Sequence, residues 1–139
     1  MDKVMFVLRK EFQDENYNFT SNVFNIDVQY EVIKALQIIK KEKPFILVID
    51  MATSKISGID LVKIIRSNPS NYHMKIIITS KNFNYKYIRQ AFALGVDYYL
   101  KFPFKIEELE KIFQGIKLLN NYVNLESIAR NNKFNWTIG

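Results

Sequence analysis

The chain contains no cysteine, three prolines, four glycines and a single histidine in 139 residues. Without cysteine, disulfides and thiolate metal sites are excluded, and a reducing cytosol is compatible. His73 stands in a polar stretch with no acidic or cysteine companion, so it reads as a solvated side chain rather than a ligand. No apolar run approaches the length a membrane span needs. The opening Met1–Arg9 is too short for a signal-peptide core with its cleavage site. No Gly-Lys-Ser/Thr phosphate loop, zinc spacing or Ser-His-Asp arrangement is readable, which argues against an enzyme of those classes.

What is present is ordinary for a globular protein: 48% apolar and 24% charged residues. The length suits one domain with a real core. The net charge of +6 invites a nucleic-acid reading. The basic residues are spread out, however, and Lys40, Lys41 and Lys43 close one predicted helix, where they complement its dipole. Without a clustered patch, solvated faces are the better account, and nucleic acid is not the expected partner.

The most informative stretch is Ile46-Leu47-Val48-Ile49-Asp50, four apolar residues running into one carboxylate. So short a β-branched run reads as a strand buried on both faces of a parallel sheet. Ligands and chemistry collect at the carboxyl ends of such strands. Val4–Leu8, Lys75–Thr79 and Tyr98–Lys101 read likewise, and Asn22–Ile26 as a shorter strand. Asp27 is expected to cap a helix over Val28–Lys41, with Val32, Ile33, Leu36 and Ile39 (or Ile38) as its apolar face. Gly58 opens the next helix, with Ile59, Leu61, Val62, Ile64 and Ile65 as its apolar positions. Tyr85–Leu94 follows, with Ile88, Ala91 and Phe92 on one face and Gly95 just past its end. Lys105–Leu119 is an amphipathic helix. Arg9–Asn18 is poorly patterned, with only Phe12 and Tyr17 to anchor a helix. Strands alternating with helices imply right-handed βαβ units. Five strands and about five helices fit an α/β, flavodoxin-like doubly wound sheet of order 2-1-3-4-5. Residues 1–121 form the expected domain, and 122–139 a tail or extra helix.

Five motifs in order carry a resemblance. They are the strand ending in Asp50, then Gly58, then Ile76-Ile77-Ile78-Thr79-Ser80, then Ala93-Leu94-Gly95-Val96-Asp97-Tyr98-Tyr99-Leu100. Last comes Phe102-Pro103-Phe104 with Glu107-Glu108-Leu109. From Val4 to about Leu119 the chain resembles a receiver domain of bacterial two-component response regulators. The resemblance implies a cytoplasmic signalling module with Asp50 as phosphoacceptor, Thr79 as phosphoryl contact and Tyr99 as switch aromatic. It also implies a cis peptide before Pro103. If the Thr79 hydroxyl has no phosphoryl group to meet, it should simply be satisfied within the fold.

The departures matter more for function. The family places two acidic residues after its first strand, where they hold a divalent metal with the phosphoacceptor. Here Leu8-Arg9 stand there, or Arg9-Lys10 with a slip of one. Neither supplies the oxygen ligands magnesium needs. Where the family has a lysine before the proline, this chain has Phe102, with Lys101 one residue early and so on the opposite face. Thr53-Ser54 replace a Met-Pro often found in the loop after Asp50, and Ala52 takes the family's metal-contact position. Thr53–Gly58 loosely resembles a flavodoxin phosphate loop, but after the wrong strand. Asp50 is therefore expected as a buried ion-pair carboxylate held by Arg9, Lys10 or Lys101. The chain becomes a degenerate receiver, acting through protein partners at residues 84–104 and the final helix, or as a homodimer, without a cofactor. Tyr98, Tyr99, Phe102 and Phe104 would give that region an aromatic surface. Two alternatives stand beside it. One is a working phospho-receiver served by a histidine kinase, with Mg2+ held by Asp50 and by Glu11 or Asp14. The other is a small basic nucleic-acid-associated regulator contacting its target through the tail.

Overall fold

The computed structural model describes residues 1–13, 19–52 and 56–131, with side chains as far as Tyr122. The chain runs β1 (Lys3–Val7), a 3-10 turn (Lys10–Gln13), β2 (Asn25–Gln29), α1 (Val32–Glu42), β3 (Ile46–Asp50) and α2 (Gly58–Arg66). A 3-10 turn (Pro69–Asn71), β4 (Lys75–Ser80), α3 (Tyr85–Ala93), β5 (Tyr98–Lys101) and α4 (Ile106–Asn131) follow. The five strands form one parallel sheet, ordered β2-β1-β3-β4-β5 as expected. Contacts divide the chain into two compact units, Met1–Ile106 and Glu107–Gly139.

The first unit holds the sheet. Because side chains alternate across a strand, Met5, Val7, Leu47, Ile49, Ile76 and Ile78 point to one face. There they meet Val32, Ala35 and Ile39 of α1, Leu61, Val62 and Ile65 of α2, and Ile88 and Ala91 of α3. β3 is buried at every residue, which is why its sequence shows no polar alternation. Ser57 caps α2, its Oγ accepting the Asp60 N–H at 3.2 Å. Gly58 is required by close approach: a Cβ there would lie 2.7 Å from Met51 Cα and 2.8 Å from the Asp50 carbonyl oxygen. Gly95, at φ +106°, turns the chain out of α3 in the left-handed region that suits glycine.

Several expectations are corrected. β2 lies three residues later than predicted, so Asp27 is a mid-strand residue rather than a cap, accepting a bond from Gln29 Nε2 at 2.8 Å. The edge position of β2 explains the misreading, since none of its residues is fully buried and its pattern is weak. α1 starts at Val32 behind Glu31, and its buried residues are Val32, Ala35 and Ile39, whereas Ile33 is 63% exposed. Ile64 and Phe92 are also largely exposed rather than buried. Among the described residues there are four α-helices, not five. The β1–β2 connection carries the Lys10–Gln13 turn, and its rings pack on phenylalanines from the rest of the unit. Phe12 stacks on Phe102 at 4.5 Å between centroids, and Phe19 lies 4.7 Å from Phe6 and 5.9 Å from Phe104. In the second unit, α4 runs on without a break past the predicted Leu119 to Asn131, with Leu109, Phe113 and Ile116 buried at helical spacing.

Candidate functional site

The carboxyl ends of β1, β3, β4 and β5 bring Arg9, Asp50, Thr79 and Leu100 to one end of the sheet. Asp50 pairs in register with Thr79, and Thr79 with Leu100. The Asp50 side chain is 1% exposed. A carboxylate that deep requires compensation. Arg9 supplies it as a fork: Nε donates to Oδ2 at 2.8 Å and NH2 to Oδ1 at 3.0 Å. The Arg9 backbone N–H donates to Oδ2 at 3.2 Å and the Ala52 N–H to Oδ1 at 3.0 Å. Each carboxylate oxygen thus accepts two N–H bonds, and a bidentate guanidinium is the best-matched cation for that shape.

The guanidinium is itself positioned. Its carbon lies 4.7 Å from the Phe12 ring centroid, within cation–π range, and Phe12 is buried against Phe102 with the rings 11° from parallel. Lys81 Nζ approaches the same Phe12 ring at 5.1 Å. Phe102 is thus part of the support for Arg9, while Lys101 is exposed on β5. The Phe102–Pro103 peptide is cis, as expected. Leu8 is buried and Lys10 is exposed in the 3-10 turn, so of the three basic candidates Arg9 is the one bonded to Asp50.

Thr79 Oγ1 is buried and has no hydrogen-bond partner among the described residues, which corrects the expectation of a satisfied hydroxyl. Tyr99 is half-buried on β5, its hydroxyl 3.3 Å from Ser80 Oγ, and the Phe83 ring meets it edge-on at 5.7 Å. The aromatic surface is not the one expected. Phe102 is buried, and the exposed rings in and beside the 84–104 region are Phe83, Tyr85, Tyr87 and Phe92. Glu11 is exposed in its turn; Asp14, Glu15, Thr53 and Ser54 lie outside the described residues. Among the described residues no three His, Cys, Asp or Glu side chains gather as a metal site. Among the described residues Asp50 is joined by no second carboxylate: Leu8 has no side-chain oxygen, and the Arg9 cation bonds to both Asp50 carboxylate oxygens. No helix among these residues is long and apolar enough to cross a membrane.

A cleft of about 290 Å³ opens beside this pair. Arg9, Ser80, Lys81, Asn82, Asn84 and Tyr87 supply its polar lining. Of these, Arg9 and Ser80 were named in the sequence reading and Asn84 and Tyr87 fall within its 84–104 region, while Lys81 and Asn82 went unremarked. Lys81 and the two asparagines follow directly on a strand's carboxyl end, the signal that could have found them.

The model of the response regulator receiver domain family matches residues 4–114. The chain belongs to that family. Solved receiver domains share its fold at low identity. That of a DNA-binding response regulator from Colwellia psychrerythraea is 21% identical, with 84% of this chain and 98% of that one covered at a TM-score of 0.72. A Francisella response regulator receiver domain is 28% identical, with 78% and 90% covered at 0.64. The receiver domain of a Pseudomonas aeruginosa sensor histidine kinase, solved with a magnesium ion in its active site cleft, is 16% identical, with 81% and 94% covered at 0.64. This receiver domain is therefore a module of two-component signalling, and the family is one of signalling domains rather than of dedicated enzymes. In this chain Asp50 faces the Arg9 guanidinium.

Proposed function

We propose that this receiver domain is a pseudo-receiver that signals in the cytoplasm through protein contacts, without phosphorylation of Asp50. The observation that carries this is the Arg9 fork on Asp50. Phosphoryl transfer to a carboxylate needs one of its oxygens to attack in line while cations neutralise the phosphoryl oxygens. Here the attacking atoms are bonded to N–H donors and the Arg9 cation serves the nucleophile, which lowers its nucleophilicity. The exposed Phe83, Tyr85, Tyr87 and Phe92 support a partner surface within residues 84–104 and its flank, since aromatic residues are enriched at protein interfaces. The final helix, or a second copy of the chain, completes the proposed set of contacts.

The test is intact mass after incubation with acetyl phosphate and magnesium. The mass is expected to stay unchanged. A gain of about 80 Da, the mass of HPO₃, that disappears in Asp50→Asn overturns the proposal. One observation favours the second reading, a working phospho-receiver fed by a histidine kinase. Thr79 Oγ1 is buried without a partner one strand from Asp50, where a phosphoryl oxygen would satisfy it.

A further inference from the structure

The helix layer over the sheet is open between α1 and α2. A cleft of about 220 Å³ lies there, floored by buried Ile39 and Ile65 and walled by Leu36 and Ile64, with Lys40 and Lys43 on its α1 side. Helical spacing puts Ile33, Leu36, Lys40 and Lys43 on one flank of α1. Asp60 and Ile64 share the facing flank of α2. Ile33 and Ile64 are 63% and 44% exposed, so they carry the apolar strip beyond the cleft. The charges along it are sorted. Glu31 and Glu42 fall on the other flank of α1, and Glu42 bonds Lys3. Asp60 lies one turn before Ile64, toward the carboxyl end of the sheet, and accepts the Ser57 hydroxyl at 2.9 Å. Lys40 and Lys43 stand at the amino end, and neither makes an ion pair among the described residues. Lys43 is held in place there. Its φ of 49° lies in the left-handed region that favours glycine, yet the position carries an ammonium. Nζ donates to Asn71 Oδ1 at 2.6 Å and Ser70 Oγ at 2.9 Å. Both acceptors are neutral, so the charge is oriented without being cancelled, and one N–H is left to donate.

The volume decides the kind of occupant. Pockets that engulf a small molecule run to roughly 300–1,000 Å³. A cleft of about 220 Å³ instead suits one or two anchor side chains of a larger partner, which would also cover the exposed isoleucines on either side. A nucleic-acid backbone is held by hydrogen bonds and charge, and isoleucine offers it neither. What fits is a surface that brings apolar side chains to the strip and carboxylates to its amino end. We propose that the α1–α2 groove docks an acidic amphipathic helix of a partner protein, its apolar face on Leu36 and Ile64 and its carboxylates on Lys40 and Lys43. This face is distinct from the exposed rings of α3, since α2 lies between α3 and the groove. The proposal does not depend on the state of Asp50.

The test titrates the full chain into a fluorescein-labelled designed helix with leucine at i, i+3, i+4 and i+7 and glutamate on both flanks, at about 150 mM salt. The same helix with glutamine, and with lysine, in place of glutamate serves for comparison. Saturable anisotropy is expected with the glutamate helix, and binding about tenfold weaker or less with the glutamine one. Amide ¹H–¹⁵N shifts should fall on α1 and α2. Lys40→Glu should weaken the glutamate helix about tenfold or more and improve binding of the lysine helix, which also shows that the variant folds. Lys41→Glu makes the same charge change on the other flank of α1 and should not. Ile64→Ser should weaken binding about tenfold, and Ile33→Ser, at the more exposed position, repeats the test if Ile64→Ser lowers the melting temperature. Absence of saturation, equal binding of the glutamine helix, equal loss in Lys41→Glu, or shifts confined to α3 each overturns the site. So does displacement of the helix by a short DNA duplex at equal concentration. If the chain alone dimerises with shifts on α1 and α2, the groove belongs to a second copy and the acidic partner is ruled out.

Discussion

Two arginine–aspartate pairs sit at opposite ends of the same sheet and do different things. At the amino end, Arg66 spreads its donors. Nε bonds the Gly95 carbonyl at 3.0 Å, NH1 the Asn71 carbonyl at 2.9 Å, and NH2 the Met74 carbonyl at 2.8 Å and Asp97 Oδ2 at 3.1 Å. Asp97 Oδ2 also accepts the Ile76 N–H at 2.9 Å. The pair thus staples the turns that feed β4 and β5. At the carboxyl end, two guanidinium donors of Arg9 and its backbone N–H converge on a single carboxylate. That carboxylate is 1% exposed, against 28% for Asp97. One cation ties backbone together; the other cancels a charge. The same two residue types thus give scaffold in one place and a neutralised buried carboxylate in the other.

This contrast can be broken experimentally, starting with the staple. Arg66→Met removes a donor from three carbonyls and one carboxylate and should cost about 3–4 kcal/mol in urea unfolding. Adding Asp97→Leu should recover little, because the carbonyls still lack their donor and the Ile76 N–H loses its acceptor. Arg9→Met should cost somewhat less, about 2–3 kcal/mol, by leaving Asp50 a buried charge with backbone donors only. Here the double variant Arg9→Met with Asp50→Leu should return to within about 1 kcal/mol of the parent, since the cost lies in the unpaired charge. Equal recovery in both cycles would mean that the two pairs do the same job.

The smallest effect comes from a third, exposed pair. Lys3 on β1 donates to Glu42 at the end of α1, and this hydrogen bond raises the lysine pKa above its ordinary 10.5. A raised lysine pKa gives stability that is present in full below the ordinary value and lost as pH climbs through the raised one. Solvent screening limits it to a few tenths of a kcal/mol. Lys3→Met should therefore flatten a slight fall in stability above about pH 10 and leave the neutral range unchanged, as measured by thermal melts against pH.

How much of this could be read beforehand follows burial and partner type. The fully buried β3 and the motif around Gly95 were legible because apolar runs and a left-handed turn leave residue-level marks. β5 was placed at Tyr98–Lys101 for the same reason. The edge strand β2 left a weak mark and was displaced. At the site, the basic substitution after β1 was visible, but choosing Arg9 over Lys10 and Lys101 required knowing which side chain reaches Asp50. The Arg66 staple left no trace at all, because its main acceptors are backbone carbonyls, which every residue carries. The Phe12–Phe102 stack was equally hidden, as it joins residues far apart in the chain.

That stack has a consequence for timing. A long helix holds itself shut through its own ladder of hydrogen bonds, whereas Lys10–Gln13 between β1 and β2 is one short 3-10 turn, entered through the Phe12 N–H to Arg9 carbonyl bond at 3.0 Å and packed by ring contacts. Such a segment can lift away without disturbing the sheet beneath it. Amide hydrogens of Lys10–Gln13 should then exchange with solvent orders of magnitude faster than those of Met5–Val7, which wait for global unfolding. The lifetime of the guanidinium on Asp50 would be that of a local opening, so the buried carboxylate meets water far more often than a static burial figure suggests.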